Sequence, residues 1–188
     1  MCFSFEVSIV TFLNSWLIGL YLLTKRKLTV LRRHNVIFLL IFSSMQIADA
    51  ILWYIKMKKN KINYLVSSIL IPTLLSLQVI YNVYFINKGK NKYLNIMSVI
   101  VIIYIFIKFH GYSSPLCNKY GSPVWGSNEI TFKEILIFSI LIFYPQWKPI
   151  LITICVFIPL IYIFVEGSYG SMWCFVSNII AFYYLYAS

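Results

Sequence analysis

Few side chains in this sequence could do chemistry, and most of them sit near the ends of its apolar runs. Cys2 and Glu6 open the chain, His110 and Cys117 lie in its longest polar stretch, and Cys174 stands just inside the last apolar run. Gln46, Asp49 and Asn178 are polar groups set within apolar runs. Thiols, an imidazole and a carboxylate gathered at one rim would suit three chemistries. Cys117 could pair with Cys2 or Cys174 in an oxidising compartment; His110, Cys2 and Cys174 could hold a metal ion; or a cysteine could act as a nucleophile with Glu6 or His110 beside it. Spacing speaks against the metal, because there is no Cys-x-x-Cys pair and the only two histidines, His34 and His110, are expected at opposite faces. Thiols serving as small apolar side chains account for the same cysteines, and Cys155, in mid-run, has that reading alone. Nothing points to a cofactor. There is no glycine-rich phosphate loop, HExxH or GxSxG, no lysine in the last run to carry retinal, and no three-histidine zinc set.

Composition decides which elements carry these groups. With 61% hydrophobic residues, a mean hydropathy of +0.82 and only 11% charged residues, the chain has too little polar surface to cover a water-soluble core. An integral membrane protein is expected. The formal charge of +11 does not suggest nucleic acid, because the basic residues fall in short clusters between apolar runs, where juxtamembrane cations sit. A bilayer core of about 30 Å needs roughly 20 apolar residues in a helix. Cutting at charges, Pro and Gly gives seven runs: 3–24, 36–56, 64–86, 93–109, 130–147, 149–165 and 169–187. The fold class is therefore all-α, a polytopic bundle of seven transmembrane helices forming one domain over 1–188. The fifth run is the weakest, with Lys133 and Glu134 at its start and Pro145 near its end. The connection 110–129 is rich in Gly, Pro, Ser and Asn and is expected to be a structured loop without regular elements. The start lacks a positive n-region and a cleavage site, so the first helix is expected to be retained.

Seven alternating passes bring the starts of helices 1, 3, 5 and 7 to the same face as the ends of helices 2, 4 and 6. All five carboxylates gather on that face, with Cys2, Cys117, Cys174, Lys108 and His110. The other face holds basic loops and His34. Loops one, three and five carry nine cations against seven elsewhere, and five of them follow the first helix, which places the N-terminus outside and the C-terminus in the cytoplasm. Polar residues within spans normally face the bundle interior. Ser43, Gln46, Asp49 and Trp53 form one helical stripe, Ser171, Cys174 and Asn178 another, and Ser4, Ser8, Thr11 and Ser15 a seam suited to close helix packing. A carboxyl at position 49 needs a partner, either Gln46, Asn178 or a cation such as Lys108. Trp53, Trp125, Trp147 and Trp173 are expected in an aromatic belt at the membrane surfaces.

Three short elements taken together carry a resemblance: Met1 to Ser4, Gln46 to Trp53, and Ser171 to Phe175. The chain resembles a bacterial and giant-virus family of small seven-helix membrane proteins that open with Met-Cys-Phe/Trp-Ser and carry Trp-Cys-Phe in the last helix. Asp49 stands where that family more often has Glu. The resemblance implies the seven-helix architecture and a pairing of the two terminal motifs, and it carries no established activity. A viral source would fit the abundance of Ile, Asn, Lys and Tyr.

The expected function is a polar pocket in the acid-rich half that binds a small ligand or ion in a transporter, channel or receptor-like protein, with Glu6, Gln46, Asp49 and Asn178 as its polar groups. Two alternatives stay open: a structural membrane protein, and an intramembrane enzyme using Cys, His and acid groups. The expected partners are the lipid bilayer and that ligand, with no nucleic acid.

Overall fold

The computed structural model describes residues 4–25, 28–115, 123–128, 130–146, 151, 155 and 172–186, the side chains of 172–175 excepted. Helices dominate it. Helix α1, Phe5–Thr24, starts where the Ser4 side chain accepts the Val7 amide at 3.2 Å. Helix α2, Val30–Ser43, continues almost directly into α3, Met45–Tyr54. The interruption falls at Ser44, where the hydroxyls of Ser43 and Ser44 both donate to the Leu40 carbonyl, at 3.2 and 2.7 Å, and compete with the backbone ladder. Hydropathy alone begins this run at Val36, six residues too late. Thr29 caps the helix through the Arg32 amide, and backbone hydrogen bonding tolerates Arg32 and Arg33 in the first turn where an apolar-run criterion does not.

The next long helix, Lys61–Ile86, is built from α4 (Lys61–Leu65), a π segment (Val66–Leu70), α5 (Ile71–Ile80) and a second π segment (Tyr81–Ile86). Pro72 offers no N–H to the carbonyl one turn earlier, which accounts for the widened turn before it. Helix α6, Lys92–Lys108, is capped by Asn91, and α7, Phe132–Phe143, by a capping box between Thr131 and Glu134. Helix α8 is Met172–Tyr186. Three stretches, Phe5–Thr24, Val30–Tyr54 and Lys61–Ile86, are long and apolar enough to cross a membrane.

Successive long elements run in opposite directions. At one end, the Phe5 ring packs on Tyr54 at 5.7 Å, the Tyr64 hydroxyl bonds His110 Nε2 at 2.9 Å, and Lys108 at the end of α6 meets Glu134 at the start of α7. At the other, His34 Nδ1 bonds the Tyr81 hydroxyl at 3.0 Å, Phe38 packs on Phe143, and Gln146 reaches Asn35. The two histidines thus lie at opposite ends, as alternation requires. These are called below the acid end and the basic end. Helix α8 lies against α1 and α2 and runs parallel to α1: Ser177 accepts a hydrogen bond from Gln46, and Tyr183 and Tyr184 reach Leu22 and Arg32 at the basic end. Small residues allow the close packing of α1. Ser8, Ser15 and Gly19 are buried, and a Cβ at Gly19 would come within 2.6 Å of the Leu40 side chain.

Two further expectations need correction. The fifth run, 130–147, holds a helix of only 12 residues, because Pro145 cannot continue it. Its open C-terminal carbonyls are met from the second π segment: Asn82 Nδ2 donates to the Leu141 and Tyr144 carbonyls at 2.8 Å, and Asn87 Nδ2 to that of Tyr144 at 2.8 Å. Asn82 is almost wholly buried, so Asn82→Ala is expected to lower stability by about 1–3 kcal/mol, measured by thermal unfolding of the purified protein. The loop expected to lack regular elements contains a short hairpin, β1 (Ser114–Pro115) paired antiparallel with β2 (Pro123–Val124), followed by a 3₁₀ turn, Trp125–Ser127.

Candidate functional site at the acid end

The site begins with one buried asparagine. Asn63, three residues after the Asn60 cap of α4, sends its Nδ2 to the carbonyls of Met57 (3.1 Å), Lys58 (3.1 Å) and Ser113 (2.9 Å), while its Oδ1 accepts the Ser113 amide at 2.8 Å and the Ser67 hydroxyl at 2.9 Å. It therefore ties the turn before α4 to the loop after α6. That turn holds Lys56 and Met57 at φ of 52° and 50°, which non-glycine residues adopt at some cost and which these carbonyl contacts help to hold. Ser67 and Ser68 add to the anchor from the first π segment. Ser67 bonds the Ser113 hydroxyl at 2.6 Å, and Ser68 both receives the Gly111 amide and donates to the Gly111 carbonyl.

So fastened, the loop drives Trp125 into the bundle. Gly126 makes the approach possible: its φ is +60°, and a Cβ there would stand 2.8 Å from the backbone of Phe109. The Trp125 ring packs edge-on to Phe109 at 6.0 Å, and its Nε1–H donates to Asp49 Oδ1 at 2.9 Å. Trp125 is only 4% exposed, which overturns the expected belt position. Its indole is consumed in covering Asp49, a fully buried carboxyl on α3, and does not sit at a surface.

The same tryptophan forms part of the wall of a cavity of about 320 Å³ between α5, α6 and α7. Leu75, Ile105, Phe109 and Phe138 make it apolar, and Ile100 and Ile137, which also line it, are exposed. Its polar groups concentrate at one place. Glu134 accepts from both Lys108 and Tyr104 through Oε1, while its Oε2 takes the Thr131 amide at 2.6 Å and hydroxyl at 2.8 Å. This is the one ion pair among the described residues. It is partly exposed, with side-chain exposures of 11% for Lys108 and 20% for Glu134.

The expected site residues do not converge on one pocket. Asp49 is buried as its stripe suggests, but Trp125 supplies a donor and Lys108 goes to Glu134, because Lys108 leaves α6 beside the start of α7. Gln46 is buried and donates to Ser177, bridging α3 and α8. On α8 the fully buried polar residue is Ser177, and Asn178, one position on, is partly buried. Glu6 is exposed on the first turn of α1 and does not share the buried setting of Asp49. Cys2, Cys117 and the Cys174 side chain lie outside the described residues, as do Glu129, Glu166 and nearly all of the sixth run, 149–165. The metal and disulfide readings therefore fall outside them too; among the described residues no group of three His, Cys, Asp or Glu is placed to hold a metal, and Cys155, expected as a buried small apolar side chain, is instead an exposed free thiol. The residues missed by sequence reasoning are Asn63, Ser67, Tyr104 and Glu134. Asn63 and Ser67 are four apart and share a helix face only because the helix begins at Lys61, three residues before the apolar run 64–86, with Asn60 as its cap.

Comparison with known proteins adds no relative: no family model matches the chain, and neither a curated protein nor a solved structure does.

Proposed function

We propose that this is a seven-pass membrane protein whose acid-end cavity binds a small amphipathic ligand, an apolar chain ending in a polar head. The acid end faces outside and the basic end the cytoplasm. Two observations support the membrane reading. Three helical stretches are long and apolar enough to span, and large side chains such as Leu17, Ile103 and Phe182 are exposed on α1, α6 and α8, where water would be poorly tolerated. Helices α7 and α8 both run from the acid end to the basic end, the direction expected of fifth and seventh passes.

The observation that carries the ligand is the one-sidedness of the cavity. Its accessible wall is almost wholly hydrocarbon, and Lys108, Glu134 and Tyr104, hydrogen-bonded to one another, stand together at one place along it, so a bound molecule would be solvated by apolar side chains along its length and would bring a polar head to that cluster at the rim. At about 320 Å³ it lies near the lower bound of ligand sites, suited to a single chain. Entry between Ile100 and Ile137 would come from the lipid side. The buried groups Gln46, Asp49 and Asn63 are engaged in holding helices and loop together, which favours a structural role for those three within the same protein.

A fluorescent fatty acid offered to the protein in nanodiscs tests this. Ile137→Trp, at the mouth, is expected to weaken its binding about tenfold or more with the melting temperature unchanged, as filling a shaped apolar site does. Lys108→Gln is expected to weaken the fatty acid more than the matching fatty alcohol. Unchanged binding in Ile137→Trp would rule out this cavity as the site.

A further inference from the structure

A second cavity lies at the opposite end of the bundle, and its chemistry differs. About 250 Å³ in volume, it sits where the turn between α1 and α2 meets the last turns of α8. Leu28 and Leu31 give it an apolar side, Tyr183 and Tyr184 close it, and Arg32 and Asn35 supply its polar groups. Arg32 has no carboxylate partner among the described residues, and the described acids Glu6, Asp49 and Glu134 all belong to elements at the acid end or reaching towards it. Asn35 spends its Oδ1 on Gln146 at 3.4 Å, and its amide nitrogen makes no hydrogen bond to the described residues. A cation and an amide donor are thus presented together beside leucines, at the end where Lys25, Arg33, Lys88, Lys90 and Lys92 also lie.

We infer that this pocket is a binding site for the phosphate headgroup of an anionic phospholipid. The guanidinium of Arg32 fits a phosphate with two parallel hydrogen bonds, and Asn35 adds a third donor from the next turn of the same helix. Leu28 and Leu31 receive the glycerol and the first methylenes. A soluble phosphate ester would leave those leucines uncovered, and a zwitterionic lipid would bring its own cation to a face already crowded with them. Basic pockets between helices on the cytoplasmic side are suited to such headgroups, and the surrounding lysines raise the local concentration of anionic lipid without choosing a site. The inference rests on the membrane reading above, and not on the acid-end cavity.

The test is native mass spectrometry of the detergent-solubilised protein with phosphatidylglycerol or phosphatidylcholine, for wild type, Arg32→Gln, Arg32→Lys and Arg33→Gln. Partition into detergent and not into buffer checks the membrane reading separately. Wild type is expected to retain phosphatidylglycerol over phosphatidylcholine. Arg32→Gln should reduce that retention about tenfold and Arg32→Lys nearly as much, because a point charge does not reproduce the two-pronged contact. Arg33→Gln, one residue away and outside the pocket, should lose about fivefold or less, the effect of one surface cation. Equal losses in Arg32→Gln and Arg33→Gln would reduce the effect to diffuse attraction and overturn the site. So would full competition by glycerol phosphate, which would assign the pocket to a soluble phosphate ester. Circular dichroism of Arg32→Gln guards the comparison, and since Arg32 is exposed its helix content should match wild type.

Discussion

Trp125→Ala is expected to destabilise the protein by about 3–5 kcal/mol, the range for removing a large aromatic from a packed interior. The residue is buried among Phe109, Ile105 and Leu75 and is also a donor to a buried carboxyl, so truncation opens a hole and strips Asp49 of a hydrogen bond together. Trp125→Phe separates the two effects. It keeps most of the ring and removes the N–H, and should lose about 1–3 kcal/mol, the penalty for leaving a buried polar group short of a partner. A double-mutant cycle with Asp49→Leu should then show a coupling of at least about 1 kcal/mol, since removing both members together is milder than removing either. Unfolding in increasing dodecyl sulfate, followed by far-ultraviolet circular dichroism, measures all four proteins. A Trp125→Phe variant as stable as wild type would show that packing alone matters at this position. Because Trp125 also walls the apolar cavity, Trp125→Ala should enlarge that cavity, a change visible as altered binding of the fatty acid probe.

Asn63→Ala should have the next largest effect, about 3–4 kcal/mol. Its two amide hydrogens are shared among three carbonyls and its Oδ1 accepts two more bonds, so four hydrogen bonds link the α3–α4 turn, the first π segment and the loop at Ser113, and a net value near 1 kcal/mol for each sets the scale. Asn63→Asp distinguishes the two sides of the amide. It retains an acceptor for the Ser113 amide but loses every donor to the carbonyls of Met57, Lys58 and Ser113, so most of the loss should persist. The local readout is proteolysis of the loop. Cleavage between 111 and 128 should quicken strongly in Asn63→Ala while α1 and α2 stay protected, because the anchor holds the loop against the bundle end and does not join those helices. Uniform loss of protection would mean that Asn63 supports the whole bundle.

How much of the fold is legible in the sequence differs from element to element, for identifiable reasons. Composition and run length determined a mainly helical architecture with elements long and apolar enough for a bilayer, because those properties depend only on how many apolar residues follow one another. Alternation determined which groups share an end, since a chain of antiparallel passes leaves no choice: Tyr64 with His110, and Lys108 with Glu134, are the outcome. Period-three-to-four spacing determined that Ser43, Gln46 and Asp49 turn inward, and all three are fully buried.

What only the tertiary structure decided is who meets whom across helices and how the long loop is used. Trp125 falls near an expected membrane surface and so suits an interfacial anchor, and nothing local reveals that Asn63 and Ser67, some fifty residues earlier, hold Ser113 in place and so aim the indole at Asp49. Lys108 was a sensible partner for Asp49 by depth, yet Glu134 is fixed by its own capping box beside the end of α6 and takes it. The apolar cavity is likewise a property of three helices and a loop together, with no signature in any one of them. A sequence carries the period and length of each element, which are local; the angular position of one helix about another depends on the packing of all of them, and that rotation is what chooses the partners.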